Sequence, residues 1–253
     1  MLDKNQAAPS GVQAPITVLT QYWSDEATRR RYLDHLFDGT AGDYDFVERI
    51  LGFGSGPWHR REALRRAGLQ PGMRVLDIAT GTGLVAREAQ AMVGPEGSVV
   101  GLDPSAGMLA RAESLAIPLI RALGERLPCR DASFDFVSMG FALRHVADLD
   151  ALFSEIHRVL KPGGRACILE ISYPRNRLVI QPLRVFMTRV VPAVARLWRR
   201  HDHARELMQF YWDTIEACVP PEAVLGAFER AAFVRTRRVV SLGMFSDYTG
   251  RKR

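Results

Sequence analysis

A parallel α/β sheet wound on both sides by helices is the fold that this 253-residue sequence predicts. Three observations carry the prediction. From Met73 onward, short apolar runs alternate with helix-length amphipathic segments, and strands joined by such helices pair in parallel with both faces covered. The first run ends in an acid and a two-glycine turn, Asp77-Ile78-Ala79-Thr80-Gly81-Thr82-Gly83. The second ends in another acid, Asp103, and in a doubly wound sheet the carboxyl ends of neighbouring strands open side by side on a ligand crevice.

In chain order, residues 1 to 20 lack periodicity and are expected to form a mobile arm. Tyr32, Leu33, Leu36 and Phe37, then Tyr44, Phe46, Val47, Ile50 and Leu51, recur at helical spacing. A glycine-rich break from Gly52 to Pro57 leads into a basic helix over Trp58 to Ala67. Strands are expected at Met73–Ile78, Ser98–Leu102, Pro118–Leu123, Phe134–Met139 and Arg165–Ile171, with helices between them at Leu84–Val93, Leu109–Ala116 and Leu149–Leu160. An Arg-rich helical insert, 173 to 220, interrupts the alternation and is expected to act as a lid. A helix at Pro221–Ala232 and strands at Val234–Val240 and Ser241–Tyr248 close a seven-stranded sheet. Residues 21 to 253 therefore read as a single domain.

Composition excludes several classes. With 47% hydrophobic and 25% charged residues, the chain is of the globular type. Cys129, Cys167 and Cys218 are odd in number and far apart, without disulfide or metal-ligand spacing, which points to a reducing cytoplasm. The start has no signal-peptide pattern. No run is read as approaching the ~20 apolar residues that cross a bilayer, so attachment to a membrane surface is the most that is expected. The net charge of +6 comes from arginines scattered over many segments, without a nucleic-acid motif, and nucleic acid is not expected as a partner. His201-Asp202-His203 has no third ligand at suitable spacing, so no metal site is expected.

The two-glycine turn admits close backbone approach to a ligand, and Asp103 is placed to accept both ribose hydroxyls of a nucleoside. Gly81-x-Gly83-x-x-Ala86 also satisfies the loose dinucleotide fingerprint. However, Asp77 immediately before the turn suits a cationic sulfonium–amino acid group better than a pyrophosphate. No second nucleotide-binding half follows. Strand-ending acids that merely cap helices are the plainer reading, and their paired placement speaks against it.

The first-strand segment Asp77 to Gly83 resembles the ordered motifs of class I S-adenosylmethionine-dependent methyltransferases. So do Gly101-Leu102-Asp103, Phe134-Asp135-Phe136-Val137 and Arg158-Val159-Leu160-Lys161-Pro162-Gly163-Gly164. Further matches narrow the resemblance to the ubiquinone/menaquinone biosynthesis C-methyltransferase family. They are Phe37-Asp38, Tyr44-Asp45, Phe53-Gly54 with Trp58, Arg60 and Arg61, Phe141-Ala142-Leu143-Arg144-His145-Val146, and Ser246-Asp247-Tyr248-Thr249-Gly250.

The resemblance implies a Rossmann-like sheet, the cofactor S-adenosylmethionine and C-methylation of an aromatic quinol. It implies cofactor contacts from Asp77, Ala79, Gly81, Thr82, Gly83, Asp103, Pro104 and Met108, with Asp77 near the methionine amino group and Met108 near the adenine. Two departures stand out. Leu123-Gly124, followed by Glu125, replaces the family's Asp or Asn with Ala, so backbone groups or the Glu125 carboxylate must meet the adenine. Gly140 stands where the family often has Ser or Thr.

Methyl transfer to a phenolic ring gains from a general base. His145, where the family has Asn, is the first candidate, against the plainer reading of a strand-end cap. Arg144 is a candidate for phenolate binding or a loop anchor. Tyr44, Phe141, Tyr211 and Trp212 are candidate aromatic walls for the acceptor; Tyr44 is equally readable as core, and for Tyr211 and Trp212 packing within a helix is the plainer reading.

The insert's alternation of apolar residues with arginines fits an anionic membrane surface, a lid or a dimer face. Two alternatives keep the cofactor: O- or N-methylation of a planar aromatic secondary metabolite, and a sulfonium-assisted reaction without net methylation. A fourth reading is a non-catalytic protein that retains the fold.

Overall fold

The computed structural model describes Ala14 and residues 19–42, 44–174, 176–199, 204–241 and 243–253. Most of the expected arm, and the triplet His201-Asp202-His203, lie outside the described residues.

Three helices precede the sheet: α1 (Glu26–Thr40), α2 (Tyr44–Leu51) and α3 (Gly56–Ala67). Asp25 caps α1 in a reciprocal box with Thr28, satisfying donors that the first turn leaves open. The sheet and its crossovers follow: β1 (Arg74–Ile78), α4 (Leu84–Val93), β2 (Ser98–Asp103), α5 (Ala106–Ala112), β3 (Leu119–Arg121), β4 (Phe134–Gly140), α6 (Leu149–Val159) and β5 (Leu160–Ile171). The insert forms α7 (Arg177–Val185), a π turn at Phe186–Val190, α8 (Val191–Arg199) and α9 (Ala204–Ala217). Helix α10 (Pro221–Arg230) and the hairpin β6 (Val234–Ser241) and β7 (Phe245–Arg251) complete the described chain.

Among the described residues the strand order is β3-β2-β1-β4-β5-β7-β6. The first five strands are parallel, and β7 is antiparallel to both β5 and β6. The order reverses beside β1, so a crevice opens beyond the carboxyl ends of β1 and β4. Alternation divides the core between the two faces. Leu76, Ile78, Val137 and Met139 pack with Leu152, Phe153, Ile156 and Phe228. Val75 and Phe136 pack on the other face with Leu64, Val85 and Ala89.

Several element bounds differ from expectation. Ser105 accepts the Met108 amide at 3.0 Å and starts α5 three residues early. The Pro162-Gly163-Gly164 turn is absorbed into β5 as an irregularity, since Phe134 pairs Leu160 but Phe136 pairs Arg165. The last strand begins at Phe245 because the chain reverses near Gly243, whose φ is +73°. The reading of the insert's apolar content also needs correction. Leu178–Leu197 is long and apolar enough to cross a membrane by length and composition, with 22% of it buried. Arg184, Arg189, Arg196, Pro182 and Pro192 break up that run in the bare sequence.

A third cluster joins the N-terminal helices to the insert over the crevice. It includes Trp23, Leu36, Val47, Met187, Val191, Leu207, Met208 and Phe210.

Candidate active site

Two cavities lie beyond the carboxyl ends of β1 and β4. A proximal one is lined by Ala79, Gly81, Asp103, Pro104, Met108, Leu123, Gly124, Glu125, Gly140 and His145, among others. A distal one is lined by Glu48, His59, Arg144, Leu207, Met208 and Phe245, among others. Tyr44, Phe141 and Tyr211 line both and form the wall between them.

The strands place the proximal groups. Asp103 ends β2 beside the turn that follows β1. Its Oδ2 accepts the Gly81 amide at 2.9 Å and its Oδ1 accepts the Ser105 amide at 2.8 Å. Burial pushes its pKa up to about 6, with Asp38 and Asp34 adding to the rise against those two amides. Asp77 sits opposite Ser138 in register. It accepts the Ser138 hydroxyl at 2.6 Å and the Thr80 hydroxyl at 2.7 Å, and burial raises it as well to about 6.

Asp77 therefore lies beneath the turn and does not line the cavity. Thr82 and Gly83 do not line it either. The Thr82 hydroxyl donates to Asp45 of α2, and a Cβ on Gly83 would meet Leu115 at 2.4 Å. These two residues hold helices against the turn.

Two non-glycine residues at the strand ends have left-handed backbones, Ala79 at φ +51° and Phe141 at φ +60°. Strain of this kind persists where the surroundings over-determine it, commonly at functional sites. In the loop after β3, a Cβ on Gly124 would lie 2.9 Å from both Ile78 and Leu152, so even alanine would need those side chains to shift. Glu125 is engaged, because Oε1 accepts the Ala147 amide at 2.6 Å.

His145 forms part of the proximal wall. Its ring stacks on Phe210 at 5.4 Å and meets Phe37 edge-on at 5.2 Å, and both nitrogens are buried without a hydrogen-bond partner. Burial, with Arg144 and Arg29 nearby, holds its pKa well below the ordinary value. The imidazole is neutral. Arg144 is fully buried, paired with Glu170, and its Nε donates to Thr214 at 3.1 Å. Its guanidinium lies 4.9 Å from the Tyr211 ring centroid, and its Nη2 has no partner. Burial pushes the pKa of the Tyr44 hydroxyl up and that of Tyr211 well above the ordinary value.

Trp212 departs from expectation. It lines neither cavity and is 1% exposed inside the helical cluster, 6.0 Å from Tyr173. Successive helical residues point about 100° apart, so Tyr211 reaches the cavities and its neighbour cannot.

Sequence reasoning missed the contribution of α1, whose Arg29, Arg30, Leu33, Asp34 and Phe37 line the proximal cavity. Asp38 also binds the cofactor-side loop, accepting the Ser105 hydroxyl and the Gly107 amide. Its pairing with Phe37 in the sequence motif was the available signal. His59 carried no such signal, as a single histidine in an arginine-rich helix.

The ubiE/COQ5 methyltransferase family model matches residues 25–247. The chain belongs to that family. The methyltransferase is 38% identical to a ubiquinone/menaquinone biosynthesis C-methyltransferase UbiE of Geobacter sulfurreducens, over 92% of this chain and 93% of the relative. It is 32% identical to a demethylmenaquinone methyltransferase of Symbiobacterium thermophilum, over 89% and 94%.

Solved structures agree in fold. One is an S-adenosylmethionine-dependent methyltransferase of Thermotoga maritima described as a possible histamine N-methyltransferase, with TM-score 0.62, 19% identity and coverage of 87% and 99%. Another is the Haemonchus contortus phosphoethanolamine N-methyltransferase 2 bound to S-adenosylhomocysteine, with TM-score 0.61, 18% identity and coverage of 88% and 60%. The methyltransferase thus has the seven-stranded Rossmann-like fold and is an S-adenosylmethionine-dependent enzyme. The proximal cavity fits that cofactor: Gly81 lines it, and a Cβ there would meet nothing within 4 Å.

Proposed function

We propose that the methyltransferase methylates a ring carbon of an aromatic quinol, held at the wall common to the two cavities. The observation that carries this reading is that Tyr44, Phe141 and Tyr211 line both. A planar ring between them has aromatic faces on the cofactor side and on the acceptor side. The named relatives act in ubiquinone and menaquinone biosynthesis or on demethylmenaquinone, by their names, which supports a quinol acceptor.

When bound, S-adenosylmethionine supplies a methyl group on a positively charged sulfur, open to in-line attack. Asp103 is assigned to the ribose hydroxyls, and Met108 with Pro104 to the adenine. With Glu125 committed to Ala147, the backbone of Leu123 and Gly124 is left for the adenine edge. Asp77 acts through Thr80, keeping the Gly81–Gly83 turn in shape. Arg144, with Nη2 unpaired at the distal cavity, stabilises a phenolate on the acceptor. His145 shapes the cavity as a neutral ring.

An anionic bilayer is the proposed partner surface. Phe53, Trp58, Leu178 and Leu197 are 83%, 64%, 84% and 88% exposed. Phe53 stacks on Phe186 at 5.1 Å and joins the α2–α3 loop to the insert. Apolar side chains among arginines suit such a surface.

Calorimetric titration with S-adenosylhomocysteine, for wild type and Asp103→Ala, tests the cofactor site. Removing a charged acceptor should weaken binding roughly tenfold or more. Incubation with S-adenosylmethionine and 1,4-naphthohydroquinone, with the product read by NMR, tests the acceptor. A methyl on a ring carbon is expected, and a methyl ether or no product would overturn C-methylation of a quinol.

A further inference from the structure

One wall of the distal cavity is formed by a histidine that is paired, behind the wall, with a buried carboxylate. His59 of α3 lines the cavity and is 5% exposed, and Asp247 of β7 is 1% exposed. His59 Nε2 lies 3.5 Å from Asp247 Oδ1. Neither ring nitrogen, nor that carboxylate oxygen, has a hydrogen-bond partner. Buried polar atoms are nearly always paired, and each exception calls for a cause. A ligand group that completes the pairing is such a cause.

The surroundings define what that group does. Arg66 of α3 pairs with the other oxygen of Asp247 and is itself near Glu62. Arg60 is turned to Glu48 of α2, and Arg144 lines the same cavity. The imidazole lies 4.9 Å from the Phe245 ring and 6.4 Å from the Phe141 ring. Since Phe141 belongs to the wall between the cavities, His59 is about one aromatic ring away from it. Burial lowers the pKa of His59; Asp247 opposes that fall, while Arg66 and Arg60 add to it, and Asp247 is placed to stabilise the imidazolium once a proton arrives. His145 differs, because the charged groups that act on it are the cations Arg144 and Arg29. A proton on His145 would be opposed from both.

We propose that His59, oriented by Asp247, is the general base of this enzyme, and that the distal cavity therefore selects a planar aromatic acceptor bearing an ionisable hydroxyl. The inference rests on the aromatic-acceptor reading given above. With Nε2 toward Asp247, the proton leaves the hydroxyl oxygen for Nδ1. The electron pair of the O–H bond stays on the oxygen and spreads into the ring, and the charge is stabilised by Arg144, which lines the same cavity. The 3.5 Å spacing of His59 and Asp247 suits this role, since catalytic hydrogen bonds tighten when the acceptor binds.

The probe is 1-naphthol, whose near-ultraviolet absorbance reports ionisation. It is titrated into protein saturated with S-adenosylhomocysteine, from neutral to alkaline pH. Bound naphthol should ionise roughly tenfold more readily than free naphthol, about one pH unit lower. His59→Gln should bind naphthol and lose that shift, and Asp247→Asn should reduce it. Should His59→Gln fail to fold by thermal unfolding, the Asp247→Asn titration decides. A shift that is absent in wild type that binds naphthol, survives undiminished in either variant, or disappears only in His145→Gln overturns the proposal. Failure of 1-naphthol to bind the wild-type protein at all would instead sink the aromatic-acceptor reading.

Discussion

The carboxylate of Asp103 receives the amide of Gly81 at 2.9 Å, so the acid that ends β2 is tied to the turn that follows β1. The bond joins two strands that are paired in parallel from Arg74↔Ser98 to Ile78↔Leu102. It also sets the acid's height at the cavity floor. Shape and charge at this point are therefore coupled.

Gly81→Ala separates the cost of strain from the cost of occupied space. The φ of +57° should cost an alanine about 1 kcal/mol, or a few degrees in Tm. The new Cβ meets no protein atom within 4 Å and enters space assigned to the cofactor. S-adenosylhomocysteine affinity should fall at least about tenfold by calorimetry, a larger effect than the loss of stability. Unchanged affinity would place the cofactor elsewhere.

Acid pH should act on stability and on binding in opposite directions. Asp77 and Asp103 are each raised from 3.8 to about 6, so the folded state favours their protonated forms. The resulting stabilisation is full below the unfolded pKa and is lost as pH rises through about 6. The size is on the order of 3 kcal/mol per group. Asp103→Asn cannot ionise, so its Tm should gain on wild type as pH climbs from about 4 to 7. S-adenosylhomocysteine binding to wild type should weaken below about pH 6, as Asp103 loses its charge. A flat difference in Tm would show that the acid is not raised.

Glu170→Ala would leave Arg144 buried and unpaired. Breaking such a pair costs about 3–5 kcal/mol, and urea unfolding should record a loss of that size. The double change Arg144→Met with Glu170→Leu should recover most of it, since two apolar groups need no partner. A loss under about 1 kcal/mol for Glu170→Ala would mean that water reaches the guanidinium.

Membrane attachment is tested by flotation with anionic and neutral vesicles. The protein should float with anionic vesicles, less so at high salt, and Phe53→Ser with Trp58→Ser should reduce it. Equal behaviour of the double variant would remove the exposed aromatics from the interface.

Local sequence determined much of this protein. Alternating apolar runs marked the five parallel strands, because a strand covered on both faces needs hydrophobic residues throughout. Asp77, the Gly81–Gly83 turn and Asp103 were readable because strand ends and turns leave signatures within a few residues. The insert was readable as helical and Arg-rich. Its long apolar run was not, because arginines and prolines interrupt it.

Only tertiary structure decided which of these groups meet a ligand. Asp77 and Thr82 carry the motif yet turn to Thr80, Ser138 and Asp45. Trp212 turns inward while Tyr211, one residue away, lines both cavities. The pairing of His59 with Asp247 brings a helix before the sheet against the last strand of the chain. No local pattern encodes that encounter, since it depends on how β7 inserts between β5 and β6. Sequence periodicity reports which face of an element is buried, and the packing of distant elements settles what stands opposite it.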